Sequence, residues 1–185
     1  MIRLVGPGAA GKTMVGLALA KHLGIPFVDL DEQFTIRVGD ISSYLSTNGY
    51  QAYAHRNIQV YLDVLRCSSP TAVFALSSGF MTYAVGVHPE YLSAYREVLA
   101  SPSTVALLPS FDCETCVRET VRRQLGRPFS RSAEREEQVI RSRFTTYSCL
   151  PAKKFETAKP IGAVIDEVAL FLQPVIGAAP QVPAT

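Results

Sequence analysis

The sequence has no tryptophan, three histidines and four cysteines among 185 residues. So few cysteines exclude a disulfide framework as the source of stability. Cys113 and Cys116 share CxxC spacing, but they open a predicted helix with no second pair and no histidine nearby, so they are read as free thiols and not as a zinc or redox site. No apolar run approaches the ~20 residues that a membrane-spanning helix needs. The first residues read as a strand, without a basic-then-apolar leader. The expectation is a soluble, cytoplasmic protein with no membrane partner. Neither sign of charge is in large excess: 18 Lys and Arg stand against 16 Asp and Glu, a net charge of +2, and no basic run exceeds Arg122-Arg123 or Lys153-Lys154. That excludes a dedicated nucleic-acid binder. No internal repeat is visible. The length suits one domain with a sizeable core, predicted as residues 1–173, followed by a disordered tail, 174–185, rich in Ala, Pro and Gln. A monomer or weak homodimer is expected.

What the chain does have is Gly6-Pro7-Gly8-Ala9-Ala10-Gly11-Lys12-Thr13, a GxxxxGK[ST] loop placed after the apolar run Ile2 to Val5 and before an alanine-rich apolar helix. The glycines let the backbone turn tightly and bring its N–H groups to phosphate oxygens at the positive end of the helix that follows. Lys12 is suited to bridge the β- and γ-phosphates, and the Thr13 hydroxyl to ligate Mg²⁺. An ordinary glycine-rich turn needs neither the Lys-Thr pair nor the strand and helix around it. Gly8, Ala9, Ala10, Gly11, Lys12, Thr13 and Met14 are therefore the predicted nucleotide contacts, with ATP and Mg²⁺ as the implied cofactors.

Strand-like and helix-like segments alternate along the rest of the chain, the pattern of an α/β protein with a parallel sheet. Met14 to Leu23 reads as a buried helix closed by Gly24. Ile25 to Leu30 reads as a second strand running into Asp29-Leu30-Asp31-Glu32. Carboxylates at the carboxyl end of such a strand lie at the ligand crevice, and one of them also suits a helix N-cap. Ile41 to Leu45 and Tyr50 to Leu65 are predicted helices separated by Asn48-Gly49, and Ala72 to Leu76 is a third strand ending in Ser77-Ser78-Gly79. Tyr91 to Ala100 is helical, Thr104 to Pro109 is a fourth strand, and Cys113 to Leu125 is a helix carrying Arg118, Arg122 and Arg123. Residues 126–143, polar and arginine-rich, have the composition of a mobile flap that includes a charged helix, Ala133 to Arg143. Ala152 to Glu156 and Ile161 to Leu172 are the last strand and helix.

This order, with its Asp-x-Asp strand end and arginine-rich flap, resembles the shikimate kinase family from about Ile2 to Leu172. The resemblance implies a three-layer P-loop kinase fold: a five-stranded parallel sheet, helices on both faces and a mobile flap. It implies transfer of the γ-phosphate of ATP to a hydroxyl of a small metabolite. Phe27-Val28-Asp29-Leu30-Asp31 matches the family's F-x-D-x-D segment, which puts Asp29 near Mg²⁺ and Asp31 on the acceptor hydroxyl. Arg127-Pro128-Phe129 looks like the family's flap motif, whose Arg reaches across the phosphates, so Lys12, Asp31 and Arg127 are the implied catalytic residues. Arg143-Phe-Thr-Thr-Tyr147 looks like the motif whose Arg meets the substrate carboxylate. Lys159 and Pro160 fall in the loop beside the adenine, for which Arg123 is a further candidate contact.

Three departures fall on the acceptor side. The family's Gly-led helix carries an Arg where this chain has Ala54, and an acidic partner for that Arg where it has Asn57, so both members of the pair are absent together. Arg56 is a candidate substrate residue, yet two residues along a helix is about 200° around its axis, so a local change of register would be needed to bring it to the face of Ala54. The family's triple glycine is Ser77-Ser78-Gly79, which narrows the site and adds two hydroxyls, leaving Ser78, Gly79 and Arg143 as the other candidate substrate contacts. The leading expectation is an ATP-dependent kinase whose best acceptor is not shikimate. Two rivals are a nucleotide-binding regulatory module that has lost phosphotransfer and an NTPase switch. Retention of Asp31 argues against the first, and the lack of a recognisable water-positioning Gln against the second.

Overall fold

A computed structural model describes residues 1–125 and 133–177 of the chain. Arg127, Pro128, Phe129 and Arg131 of the expected flap, and 178–185 of the expected tail, lie outside the described residues. The described chain runs β1 (Ile2–Val5), α1 (Lys12–Leu23), β2 (Phe27–Asp29), α2 (Leu30–Val38), α3 (Ile41–Cys67), β3 (Val73–Ala75), a 3₁₀ turn (Phe80–Thr82), α4 (Tyr91–Ala100), β4 (Thr104–Leu108), α5 (Cys113–Leu125), α6 (Ala133–Cys149), β5 (Lys153–Glu156) and α7 (Ile161–Gly177). No helix among the described residues is long and apolar enough to cross a membrane.

The strands form one parallel five-stranded sheet in the order β2-β3-β1-β4-β5. Its central strands are buried on both faces, which is why β1 and β4 read as short continuous apolar runs. Alternate residues go to opposite faces. Ile2 and Leu4 of β1, Val73 of β3, and Val105 and Leu107 of β4 pack against α1 and α7, burying Leu19, Val168 and Leu172. Val5, Phe74, Ala106 and Leu108 face the other way, onto Phe34, Ile58, Tyr61 and Val98 of the remaining helices. β1 has β3 on one side and β4 on the other, while the chain leaves β1 toward β2, so the order reverses there. Such a switch point opens a crevice at the carboxyl ends of the strands, and the loop from Gly6 to Gly11 sits in it.

Several boundaries differ from the sequence reading. The second strand stops at Asp29, and Leu30–Val38 is a helix that was not expected. Asp29 caps it, its carboxylate accepting from the N–H groups of Asp31 and Glu32, so the strand end and the helix start are one residue. The two predicted helices of the Ile41–Cys67 region are joined through a kink at Gly49, with φ 78° and ψ 171°, a conformation that suits glycine. The charged helix continues past Arg143 to Cys149 and packs on α5 with Glu136, Ile140 and Tyr147 buried, so residues 133–143 of the expected flap are a packed element. The last helix runs through Pro174 to Gly177, so the first residues assigned to the tail are helical. Pro174 lies in the final turn, beyond the well-packed Leu172.

Gly6 shows how tightly the sheet holds the loop. Its φ is +156°, and a Cβ there would fall on the carbonyl oxygen of Leu107 in β4, a backbone atom that cannot move aside. Gly6→Ala is expected to cost roughly 1–3 kcal/mol from backbone strain, read as a lowered urea midpoint with unchanged slope. A midpoint equal to that of the native chain would contradict this packing.

Candidate active site

Four strand or helix ends converge on the loop. Lys12 begins α1 and curls back, its Nζ donating to the carbonyl oxygens of Gly6 at 2.8 Å and Pro7 at 2.9 Å. Its charge thus lies over the loop, beside the helix N-terminus that already attracts anions. The Thr13 hydroxyl donates to Oδ2 of Asp29 at 2.7 Å, and Oδ1 of Asp29 accepts from Asp31 N at 2.9 Å and Glu32 N at 3.4 Å. One buried carboxylate therefore joins the starts of α1 and α2. No cluster of three His, Cys, Asp or Glu among the described residues forms a metal cage. The Thr13 hydroxyl and Asp29 carboxylate instead form a pair of hard oxygen donors, the kind that suits a magnesium ion sharing its remaining positions with water and phosphate.

Asp31 sits in the first turn of α2. Its Oδ1 accepts from the Ser77 hydroxyl at 2.5 Å, and the Tyr53 hydroxyl lies at 3.5 Å. Burial pushes the Asp31 carboxyl above the usual carboxylate range; the Ser77 bond and the charge of Lys12 oppose that, and the nearby charge of Asp29 adds to it. Ser77 is fixed in turn by Asn57, whose Nδ2 donates to Ser77 Oγ at 2.9 Å and whose Oδ1 accepts from the Tyr83 hydroxyl at 3.0 Å. Ala54 lies on the same buried face of α3.

A cavity of about 680 Å³ contains the loop from Gly8 to Met14 together with Asp29, Asp31 and Ser78. Arg123 closes one side, donating to the carbonyl oxygens of Ala9 at 3.1 Å and Thr157 at 2.9 Å, with Glu119 as its counter-ion. The Thr157 hydroxyl donates to the Ala10 carbonyl at 2.9 Å, so Arg123 and Thr157 tie the loop to the β5–α7 connection. Lys159 lines the same cavity and pairs with Glu167 at 2.5 Å, whereas the exposed Pro160 does not line it. Thr157 and Gln124 were not anticipated; neither carries a motif, and each reaches the loop from an element far along the chain.

A second cavity, of about 800 Å³, opens between α3 and α6 beside Tyr50, Tyr83 and Arg143. Arg143 stands between the two cavities, donating to Ser78 Oγ at 3.2 Å and the Tyr50 hydroxyl at 3.1 Å. Tyr147 donates to the Ser78 carbonyl at 2.9 Å. Gly79 lies beneath this group, where a Cβ would meet the Tyr50 hydroxyl at 2.5 Å. Asp31, Ser78, Gly79 and Arg143 are thus brought together. Arg56 is not: it is exposed and lines neither cavity, because α3 turns Tyr53, Ala54 and Asn57 inward and leaves Arg56 on the opposite strip.

A phosphate loop at the switch point of a parallel sheet, facing a carboxylate across one cavity, defines a P-loop kinase of small molecules. The model of the family described as shikimate kinase matches residues 8–172, and the chain belongs to that family. A shikimate kinase of Legionella pneumophila strain Corby is 30% identical over 176 residues, which cover 92% of this chain and 93% of the relative. One from Paracidovorax citrulli is 27% identical over 180 residues, covering 93% and 91%. The structure of shikimate kinase from Acinetobacter baumannii in complex with shikimate superposes with a TM-score of 0.68 at 26% identity, covering 97% of this chain and 94% of that one. A gluconokinase from Sinorhizobium meliloti shares the fold, with a TM-score of 0.58 at 16% identity over 94% of this chain and 91% of that one. The protein is an ATP-dependent small-molecule kinase resembling shikimate kinase, a phosphotransferase acting on a hydroxyl group.

Because the Lys12 side chain meets the Gly6 and Pro7 carbonyls through its flexible tip, Lys12→Ala is expected to lower ATP turnover at least ~100-fold, the scale of losing one charge-stabilising donor, while the urea midpoint stays close to that of the native chain. Turnover that survives the change would contradict the placement of the phosphates on this loop.

Proposed function

We propose that this chain transfers the γ-phosphoryl group of ATP, bound as its magnesium complex, to a hydroxyl of a small hydroxyl-rich acceptor, and that shikimate is not its best acceptor. The observation that carries this is the shared cavity, in which Lys12, Thr13 and Asp31 face one space. In the transfer, the acceptor oxygen forms a bond to the γ-phosphorus as the bond from that phosphorus to the bridging oxygen of ADP breaks. The acceptor proton passes to Asp31, whose burial makes it a better base than an exposed carboxylate. Lys12 exchanges its contacts with the Gly6 and Pro7 carbonyls for phosphate oxygens, and the loop N–H groups stabilise the developing charge. The Thr13 hydroxyl and, directly or through water, the Asp29 carboxylate would hold Mg²⁺, which supplies charge neutralisation on the phosphates when bound. Arg127 carries the further charge across the phosphates that the family resemblance assigns to it.

The acceptor class follows from what surrounds Asp31. With Ala54 and Asn57 buried where the family has an Arg and its acidic partner, that position carries no charge, and Arg143 is a candidate cation for an acceptor carboxylate. Ser78 lines the nucleotide cavity and Tyr50 and Tyr83 the adjoining one, so hydroxyls and rings face the region beside Asp31. Hydroxyls and rings answer a neutral, hydroxyl-rich molecule better than an anion. A net charge of +2 without a basic run fits a protein working on small metabolites and not on nucleic acid; a cytoplasmic monomer or weak homodimer is the form proposed for it.

Loss of one arginine contact to a carboxylate, roughly 1.5–3 kcal/mol, is expected to weaken shikimate use about ten- to a hundredfold. The measurement is kcat/KM for shikimate against polyols, sugars and other hydroxy acids. Shikimate should fall below ~10⁴ M⁻¹s⁻¹, the lower edge of efficient enzymes, with a polyol or sugar above it. A shikimate value above that edge, exceeding every other acceptor, would contradict the assigned acceptor class.

A further inference from the structure

We propose that Ser77 and Asn57 are positioning residues for phosphoryl transfer: the chain Tyr83 to Asn57 to Ser77 clamps one oxygen of Asp31 and leaves the other to receive the acceptor hydroxyl. This rests on the kinase reading above. The polarity of the chain follows from counting protons. The Asn57 amide is fully buried, with its Oδ1 taking the Tyr83 proton and its Nδ2 giving one to Ser77 Oγ. Ser77 has a single hydroxyl proton, and having accepted from Asn57 it directs that proton to Asp31 Oδ1 at 2.5 Å, a charge-assisted bond to the ionised carboxylate. Reversing the amide would turn its oxygen toward Ser77 and its NH₂ toward the Tyr83 hydroxyl. The Ser77 proton would then be drawn to the amide, and Asp31 would be left facing a bare oxygen at that separation.

Burial favours the neutral phenol at Tyr83 and at Tyr53, so both remain O–H donors. The groups facing Asp31 from the surrounding elements are Lys12 on α1, Asp29 at the end of β2, Tyr53 on α3 and Ser77 after β3. Both hydroxyls bond Oδ1; among the described residues Oδ2 of Asp31 accepts no hydrogen bond, and Asp31 lines the cavity that holds Lys12. The arrangement also explains why the departures at 54, 57 and 77 occur together. Removing an arginine alone would strand a buried acid. With Ala54 and Asn57 both charges are gone, and the hydroxyl of Ser77, where the family has glycine, is the partner that the Asn57 amide reaches.

The test combines rates with an acceptor-free readout. ADP release is followed with shikimate, gluconate and glycerol as acceptor probes, and crystal structures report the orientation of the Asp31 carboxylate. Ser77→Ala is expected to lower kcat about ten- to a hundredfold, the scale of a charge-assisted hydrogen bond, with KM for ATP within about twofold. Tyr83→Phe, which removes only the outermost donor, should lower kcat about two- to tenfold. Ser77→Thr, which keeps the hydroxyl, should recover most of the rate. The Asp31 carboxylate should hold one orientation in the native chain and in Ser77→Thr, and a rotated or divided one in Ser77→Ala. An unchanged carboxylate in Ser77→Ala overturns the inference whatever the rates do, as does an unchanged kcat in an active enzyme whose carboxylate has turned. A native chain that consumes ATP with none of the three probes counts against the kinase reading alone, and the carboxylate orientation then decides the inference by itself.

Discussion

The carboxylate of Asp29 is the joint on which the site depends. One of its oxygens takes the Thr13 hydroxyl at 2.7 Å and the other takes the first free N–H groups of α2. Helix starts leave such groups without backbone partners, and a buried start needs a side chain to satisfy them. By meeting that need from the last residue of β2, Asp29 sets the register of α2, and Asp31 follows two residues on with its side chain over the phosphate loop. Without this joint, the residue that the proposed mechanism uses as base and the residue it uses for the metal would belong to unconnected elements.

The sheet supplies the rigidity that this joint assumes. β1 is flanked by β3 and β4, its residues alternate between two apolar cores, and Gly6 leaves it against the backbone of Leu107. The loop is then tied from its far side by Arg123 and Thr157. Arg123, expected as a contact to the adenine, thus donates hydrogen bonds to Glu119, Ala9 and Thr157, and reaches the nucleotide cavity as part of its wall.

Legibility in the sequence followed the range of the interactions. The phosphate loop was readable because its chemistry is local: glycines, a lysine and a threonine at fixed spacing between a strand and a helix. The parallel α/β class was readable for the same reason, since apolar runs alternate with helical patterns over short windows. α2 was missed because Asp29 serves as both strand end and cap, although Asp29 followed three residues later by Glu32 is a start signal that could have revealed it. Arg56 was named as a candidate on proximity in sequence, and the helical phase that carries it away from Ala54 excluded it from both cavities. The absence of the family's Arg and acidic partner was visible at Ala54 and Asn57. What replaced them was not, because the Asn57 to Ser77 bond spans twenty positions and the Tyr83 to Asn57 bond twenty-six.

Beside the proposed acceptor site, Tyr53, Tyr83, Asn57 and Ser77 form a neutral hydrogen-bonded group around Asp31, where the family resemblance places an Arg and its acidic partner. The account therefore turns on Asp31 acting on the acceptor and not on the nucleotide. Asp31→Asn keeps the size of the side chain and removes its capacity to take a proton. Measured as acceptor-dependent ADP release alongside ATP affinity, the variant should lose about 100- to 10,000-fold in kcat, the range for general-base catalysis, while ATP binds within a few fold of the native value. Acceptor-dependent turnover at the native rate in Asp31→Asn would contradict the account.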